Sequence, residues 1–246
     1  LGIIPARYAS TRFPGKPLVD IGGKTMIQRV YEQTRNAIPD VYVATDDERI
    51  LQSVQQFGGK AVLTNVAHAS GTDRCAEASD KISSLLKKQF DVIINVQGDE
   101  PFIDPAQITA LASCFNEPSV QIATLAMPII NAEDIVQPDC VKVILNKRQE
   151  AIYFSRSPIP YVRDANTDNW ITHHAFFKHM GIYAYRKDIL QQITQLEASS
   201  LEKAEKLEQN RWIENGYKIK IAITETDSYP VDTEQDLKKL KKAGLY

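Results

Sequence analysis

Through the first 127 residues, short runs of β-branched and apolar residues alternate with amphipathic stretches of helical period. This alternation limits the fold more than any other feature of the chain, because parallel strands must be joined by crossovers long enough to hold a helix. Strands are expected at 1–4, 41–44, 61–63, 91–96 and 122–127, and helices at 26–35, 47–57, 72–88 and 105–115. Val92-Ile93-Ile94 is apolar without a break, as a strand covered on both faces should be. The expected fold is therefore α/β, a mostly parallel sheet between two helical layers. With 246 residues, 43% of them hydrophobic, the chain can bury the core of one such domain. Ligands of these sheets sit beyond the carboxyl ends of the strands, where Arg7, Thr45 and Asp99 fall.

Past about residue 120 the alternation weakens. Strand-like segments at 141–145, 181–185 and 219–224 surround an irregular stretch, 157–174, that is too aromatic for a linker. A helix is expected from Ser199 or Ser200 to Asn215, with a capping box from Ser199 to Glu202 and an apolar stripe of Leu201, Ala204 and Leu207. On that helix Glu205, Glu208 and Gln209 read, residue by residue, as a solvated face. A last helix is expected over 233–242. Gly22-Gly23-Lys24-Thr25 lacks the first glycine of a Walker loop and reads as a turn before a helix starting near Met26.

The densest chemical signal follows the first strand. Arg7, Arg12 and Lys16 fall within ten residues with no acid before Asp20, in a chain of net charge -2. Taken singly, cations in a turn are usually just solvated. Here Pro5, Pro14 and Pro17 fix φ and Gly15 permits close approach, so Arg forks, a Lys charge and backbone N–H groups are preordered for an anion such as phosphate. The next signal is Gln97-Gly98-Asp99-Glu100-Pro101, directly after a buried strand. A lone Asp there is more often a turn or capping residue. A second carboxylate, Asp232, precedes the last helix, although Asp232 to Gln235 also resembles a capping box. Brought together about 4 Å apart beside phosphate, two carboxylates would repel by about 4 kcal/mol at an effective dielectric near 20. Mg²⁺, which takes one or two carboxylates plus phosphate oxygens, would relieve that repulsion. Ser70-Gly71-Thr72-Asp73-Arg74 reads first as a helix start capped by Ser70 or Thr72.

Other classes are set aside by composition. Cys75, Cys114 and Cys140 are odd in number with no C-x-x-C pair, which suits reduced thiols in the cytoplasm. No apolar run approaches a membrane span, no signal peptide is visible, and the basic residues are local, not a broad patch for nucleic acid. The chain opens at Leu1 without an initiator Met, so a few residues of the first strand are expected to precede it.

Residues 5–18, Ala44-Thr45-Asp46, Ser70 to Arg74, Asn95-Val96-Gln97-Gly98-Asp99-Glu100-Pro101, Tyr153-Phe154-Ser155-Arg156, His179-Met180-Gly181-Ile182-Tyr183 and Val231-Asp232-Thr233 together resemble the bacterial 3-deoxy-manno-octulosonate (Kdo) cytidylyltransferases, in order and over nearly the whole chain. The resemblance implies a Rossmann-like nucleotidyltransferase fold in a single domain over 1–246. Its nucleotide-binding half would be about 1–120, with a smaller mixed region for sugar binding and dimerisation at about 121–225. It implies that CTP and Kdo give CMP-Kdo and pyrophosphate, for lipopolysaccharide synthesis, with Mg²⁺ on Asp99 and Asp232 and with Arg7 and Lys16 also catalytic. Pro5, Ala6, Arg7, Arg12, Lys16, Thr45, Ser70, Gly71, Thr72 and Arg74 would face the nucleotide, although Arg74 could instead reach the sugar. Gln97, Arg156, His179, Tyr183, Glu208 and Gln209 would face the sugar, and a homodimer is expected. Phe13, Thr25 and Ala184 depart from the family's usual Leu, Pro and Gly, which leaves Kdo against an amino-substituted Kdo open. A sialic acid cytidylyltransferase is the nearest alternative. A glycosyltransferase would carry a D-x-D motif where this chain has Asp99-Glu100. A nucleotide-binding module without turnover is the non-enzyme alternative.

Overall fold

The computed structural model describes residues 1–9 and 13–246. Along the chain run β1 (Gly2–Ala6), α1 (Met26–Ala37), β2 (Val41–Thr45), α2 (Glu48–Gln56), β3 (Ala61–Leu63), α3 (Gly71–Leu86), β4 (Val92–Asn95) and α4 (Pro105–Ser113). Next come β5 (Ile122–Pro128), α5 (Ala132–Val136), β6 (Lys142–Leu145), β7 (Ala151–Ser155), α6 (Trp170–His173) and β8 (Phe177–Arg186). The chain closes with α7 (Lys187–Ile193), α8 (Ser200–Glu205), α9 (Glu208–Glu214), β9 (Ile219–Ile223) and α10 (Glu234–Lys242). Two units form, one from Leu1–Ala112, Ala184–Thr194 and Ser228–Tyr246, the other from Ser113–Tyr183 and Gln195–Asp227.

In the first unit the strands lie in the order β3-β2-β1-β4, all parallel, with Ile3 paired to Tyr42 on one side and Asn95 on the other. This is the α/β arrangement that the alternation implied. Ile3, Ile4, Val43 and Ile93 are fully buried, and α1 adds Met26, Ile27, Val30, Tyr31 and Thr34 at helical spacing. β1 runs two residues further than the sequence suggests, through Pro5 and Ala6. Neighbouring residues of a parallel strand bond to opposite sides. Gly2 N donates to Asp40 O beside β2, while Ile3 O accepts from Val96 N beside β4. Pro5 therefore turns its missing N–H toward the β4 side, where strand pairing has already ended at Asn95, and no ladder bond is lost. Gly22 and Gly23, at φ 61 and 81, make the expected turn, and Thr25 caps α1 by accepting from Gln28 N.

In the second unit β5 lies between β8 and β9, parallel to β9, and β6 pairs antiparallel with β7 and β8. Three expectations change here. β7 was not foreseen, and β8 starts at Phe177 instead of 181. The single helix expected up to Asn215 is instead two, α8 and α9. Lys206 takes a left-handed φ of 55 with its N–H on Glu202 O, which ends α8, and buried Leu207 starts α9. The irregular stretch packs through a cluster of Ile129, Ile135, Trp170 and Phe176, with Trp170 Nε1 donating to Ala165 O at 3.0 Å.

The loop leading into α3 hangs on Glu77, which accepts from Asn65 N, His68 Nε2 and Lys81 Nζ. Burial pushes this carboxyl up, but those bonds outweigh it and hold it at about 2. A carboxyl more acidic folded than unfolded gives stability that is complete above an ordinary Glu value, about 4.3, and is lost as pH falls through the folded value. Glu77→Gln is expected to lower the melting temperature by about 2–4 °C at neutral pH, the effect of losing ~1 kcal/mol. The gap should narrow as pH drops from about 4 toward 2. Thermal melts across pH check this, and a gap independent of pH would contradict it.

Candidate active site

At the carboxyl ends of β1 and β4, a cleft of about 410 Å³ is lined by Pro5, Ala6, Arg7, Ala9, Lys16, Pro17, Gln97, Gly98, Asp99 and Asp232. Lys16 follows Gly15, whose left-handed φ of 71 would strain any other residue and where a Cβ would crowd the Tyr8 ring at 3.2 Å. Buried Pro17 then pins the short 3-10 turn that carries Lys16. Lys16 Nζ donates to Asp99 Oδ2 at 2.8 Å and to Asp232 Oδ1 at 3.1 Å, so one ammonium joins two carboxylates from distant parts of the chain.

Backbone contacts set both carboxylates. Gly98 runs so close to β1 that a Cβ there would lie 2.8 Å from Pro5 O. Val231, fully buried with Ile21, Met26 and Leu240, donates its N–H to Asp99 O at 2.9 Å and ties the two acidic segments together. The expected cap on the last helix falls one residue later. Thr233 and Asp236 form the capping box of α10, which leaves the Asp232 carboxylate for Lys16. Arg7, at the end of β1, is exposed and bonds to no described residue. Arg12 lies outside the described residues. The negative charges are oxygen donors, only partly exposed, beside two cations, which is a chemistry suited to a hard divalent ion or to phosphates.

The remaining nucleotide candidates of this unit are not among the residues that line this cleft. Gly71 packs on the Pro5 ring, and Ser70 caps α3 through a capping box with Asp73, settling the choice between Ser70 and Thr72. Thr72 and Thr45 are buried, and Thr45 Oγ1 accepts from Asp47 N to set the turn after β2. Arg74 is 1% exposed, its guanidinium paired with Asp46 at 2.8 Å and donating to Thr64 Oγ1 at 2.5 Å.

The sugar candidates other than Gln97 belong to the second unit. His179 and Tyr183 share one face of β8, with ring centroids 5.3 Å apart, and Phe154 of β7 meets His179 edge-on at 4.9 Å. Burial lowers His179 to about 3, so it is neutral. Burial, with Glu208 nearby, raises the Tyr183 phenol well above its usual range. Gln209 is buried, and Glu208 pairs with Arg211 at 3.1 Å. Arg156 donates through Nε to Glu205 O at 2.8 Å and through Nη1 to Pro138 O at 3.0 Å. Sequence reasoning missed Glu205, which also accepts from Ser155 Oγ at 2.6 Å, Tyr153 OH at 3.1 Å and Arg156 N at 2.9 Å. It also missed Lys142, 1% exposed, whose ammonium donates to the carbonyls of Gln137, Cys140 and Arg156. No local signal marks Glu205, because Tyr153 and Ser155 lie 52 and 50 residues before it in the chain.

The chain belongs to the cytidylyltransferase family, whose model matches residues 1–221. It is 56% identical over 241 residues to a 3-deoxy-manno-octulosonate cytidylyltransferase of Bacteroides thetaiotaomicron, covering 97% of this chain and 95% of that one. A protein of the same name from Parabacteroides distasonis is 54% identical over 243 residues, 97% and 95% of the two chains. Among solved structures, a CMP:2-keto-3-deoxy-manno-octonic acid synthetase complexed with CTP superposes with a TM-score of 0.89 at 44% identity, covering 100% of this chain and 98% of that one. A cytidylyltransferase from Leptospira borgpetersenii, at 17% identity and a TM-score of 0.61 over 100% of this chain and 86% of that one, shares the fold.

Gly98→Ala should force the Gln97–Asp99 loop off Pro5 O, costing about 1–3 kcal/mol of stability and weakening CTP binding at least about tenfold as Asp99 moves from Lys16. Urea unfolding and calorimetric titration with CTP check this, and wild-type values in both would contradict it.

Proposed function

We infer that the chain transfers CMP from CTP to Kdo, releasing CMP-Kdo and pyrophosphate, and so activates Kdo for lipopolysaccharide synthesis. One observation carries this reading. The chain is 44% identical over its full length to a CMP-Kdo synthetase complexed with CTP, and it holds Lys16 between Asp99 and Asp232 at the strand ends where such chemistry is placed.

In the reaction the sugar 2-hydroxyl oxygen bonds to the α-phosphorus, the bond from that phosphorus to the oxygen bridging it to the β-phosphate breaks, the hydroxyl proton passes to solvent and pyrophosphate leaves. Arg7, Arg12 and Lys16 neutralise the phosphate oxygens and the charge that develops on the leaving pyrophosphate. Pro5, Ala6, Ser70, Gly71 and Thr72 shape the nucleotide side, while Thr45 and Arg74 hold the turns behind it. Asp99 and Asp232 are oxygen donors already drawn to one cation, a set that fits Mg²⁺. Bound there, Mg²⁺ would supply Lewis-acid stabilisation of phosphate charge. In the second unit Arg156, His179, Tyr183, Glu208 and Gln209 serve the sugar, Arg for its carboxylate and the others for its hydroxyls, while Gln97 lines the cleft of the first unit.

Among the described residues Cys75, Cys114 and Cys140 form no disulfide, which supports a reducing compartment such as the cytoplasm, and no helix is long and apolar enough to cross a membrane. The homodimer that the family resemblance implies would have exposed apolar side chains to cover in the second unit, Tyr161, Ile130 and Ile152 among them.

Pyrophosphate release from CTP and Mg²⁺, run with Kdo, 8-amino-Kdo, sialic acid or no sugar, tests the reading. Release is expected with Kdo and is expected to fall at least ~100-fold in Asp99→Asn. Preference for another sugar would move the substrate, and no release with any sugar would leave a nucleotide-binding module.

A further inference from the structure

One hydroxyl in the second unit is surrounded in a way that fixes the proton on its neighbour. Thr124, 0% exposed on β5, places Oγ1 2.6 Å from Ile182 O, 3.0 Å from Met180 O and 3.1 Å from His179 Nε2. A hydroxyl has one proton to give and two lone pairs with which to accept, whereas a carbonyl can only accept. The Thr124 proton must therefore go to the β8 carbonyls, and the shorter distance assigns it to Ile182 O. Were it turned to His179 instead, a lone pair of Oγ1 would face the Ile182 oxygen at 2.6 Å with no hydrogen between them. The oxygen thus accepts from His179, and Nε2 carries the hydrogen.

The rest of the imidazole follows. Burial keeps the ring neutral, so a hydrogen on Nε2 leaves Nδ1 with a bare lone pair. Nδ1 bonds to no described residue. The ring cannot easily swing to exchange its nitrogens, because Phe154 meets it edge-on at 4.9 Å and Tyr183 packs at 5.3 Å. A nitrogen lone pair attracts a hydroxyl hydrogen and repels a carboxylate. This corner of the unit would read a sugar hydroxyl, while the acid group needs a cation elsewhere.

We propose that Thr124 is a positioning residue that fixes His179 as the Nε2–H tautomer, so that Nδ1 accepts a hydrogen bond from a hydroxyl of the sugar substrate. The proposal rests on the reading of Kdo as that substrate. Thr124→Val removes the hydroxyl at nearly constant shape, and Thr124→Ser keeps it. ¹⁵N NMR of histidine-labelled protein at neutral pH, with His179→Gln to assign the signal, should show Nε2–H in the wild type and in Thr124→Ser, and a tautomer mixture in Thr124→Val. The KM for Kdo should rise about tenfold in Thr124→Val, the loss of roughly one hydrogen bond, with kcat and the KM for CTP within about twofold. Thr124→Ser should restore it. Nδ1–H or a charged imidazole at His179 in the active wild type would overturn the proposal, and this holds even if Thr124→Val fails to fold. An unchanged tautomer and an unchanged KM for Kdo in Thr124→Val would overturn it as well. A wild-type protein that shows Nε2–H but consumes no Kdo would instead defeat the functional reading, and the sugar half of the proposal with it.

Discussion

A single ammonium between two carboxylates organises the first unit. Lys16 Nζ at 2.8 and 3.1 Å from Asp99 and Asp232 compensates charges that would otherwise repel at the mouth of the sheet. The three groups come from three separate segments, so the arrangement stands only if each segment is held by something other than their mutual attraction, which is modest for partly exposed charges. The left-handed Gly15 and buried Pro17 hold Lys16, the contact of Gly98 with Pro5 O holds Asp99, and the burial of Val231 holds Asp232. The polar cluster is preorganised by backbone geometry and apolar packing, as a site for charged ligands requires.

The second unit solves a related problem with hydrogen-bonding hubs of its own. Its polar residues are positioned by half-buried Glu205 under Arg156, buried Lys142 under the same backbone, and buried Thr124 under His179. Each hub has its hydrogen-bonding capacity used by fixed partners, so the residues above it have few alternative conformations. A buried Lys142 is tolerable because three carbonyls receive its ammonium, although burial still lowers its pKa.

Much of this was legible in the sequence wherever the determining chemistry is local. The parallel strands, the turn at Gly22-Gly23 and the loop after β1 follow from periodicity, glycine placement and proline, each acting within a few residues. What the sequence hid depended on partners far along the chain. No local signal marks Lys206 as the end of α8, since a left-handed cap usually falls on Gly or Asn. Asp232 looked like a cap because Gln235 has the right offset, and only the observed box between Thr233 and Asp236 shows where the helix begins. Thr124 reads as an ordinary strand residue until β5 is laid beside β8.

The claim on which the rest depends is that phosphates and a divalent cation meet at Lys16, Asp99 and Asp232. Manganese, standing in for magnesium, broadens the ³¹P NMR signals of any phosphate it approaches. Titrating it into the protein with CTP should broaden the α-, β- and γ-phosphate signals strongly in the wild type and only as in free solution in Asp232→Asn. Protein-dependent broadening that persists unchanged in that variant would contradict the assignment and place the cation elsewhere.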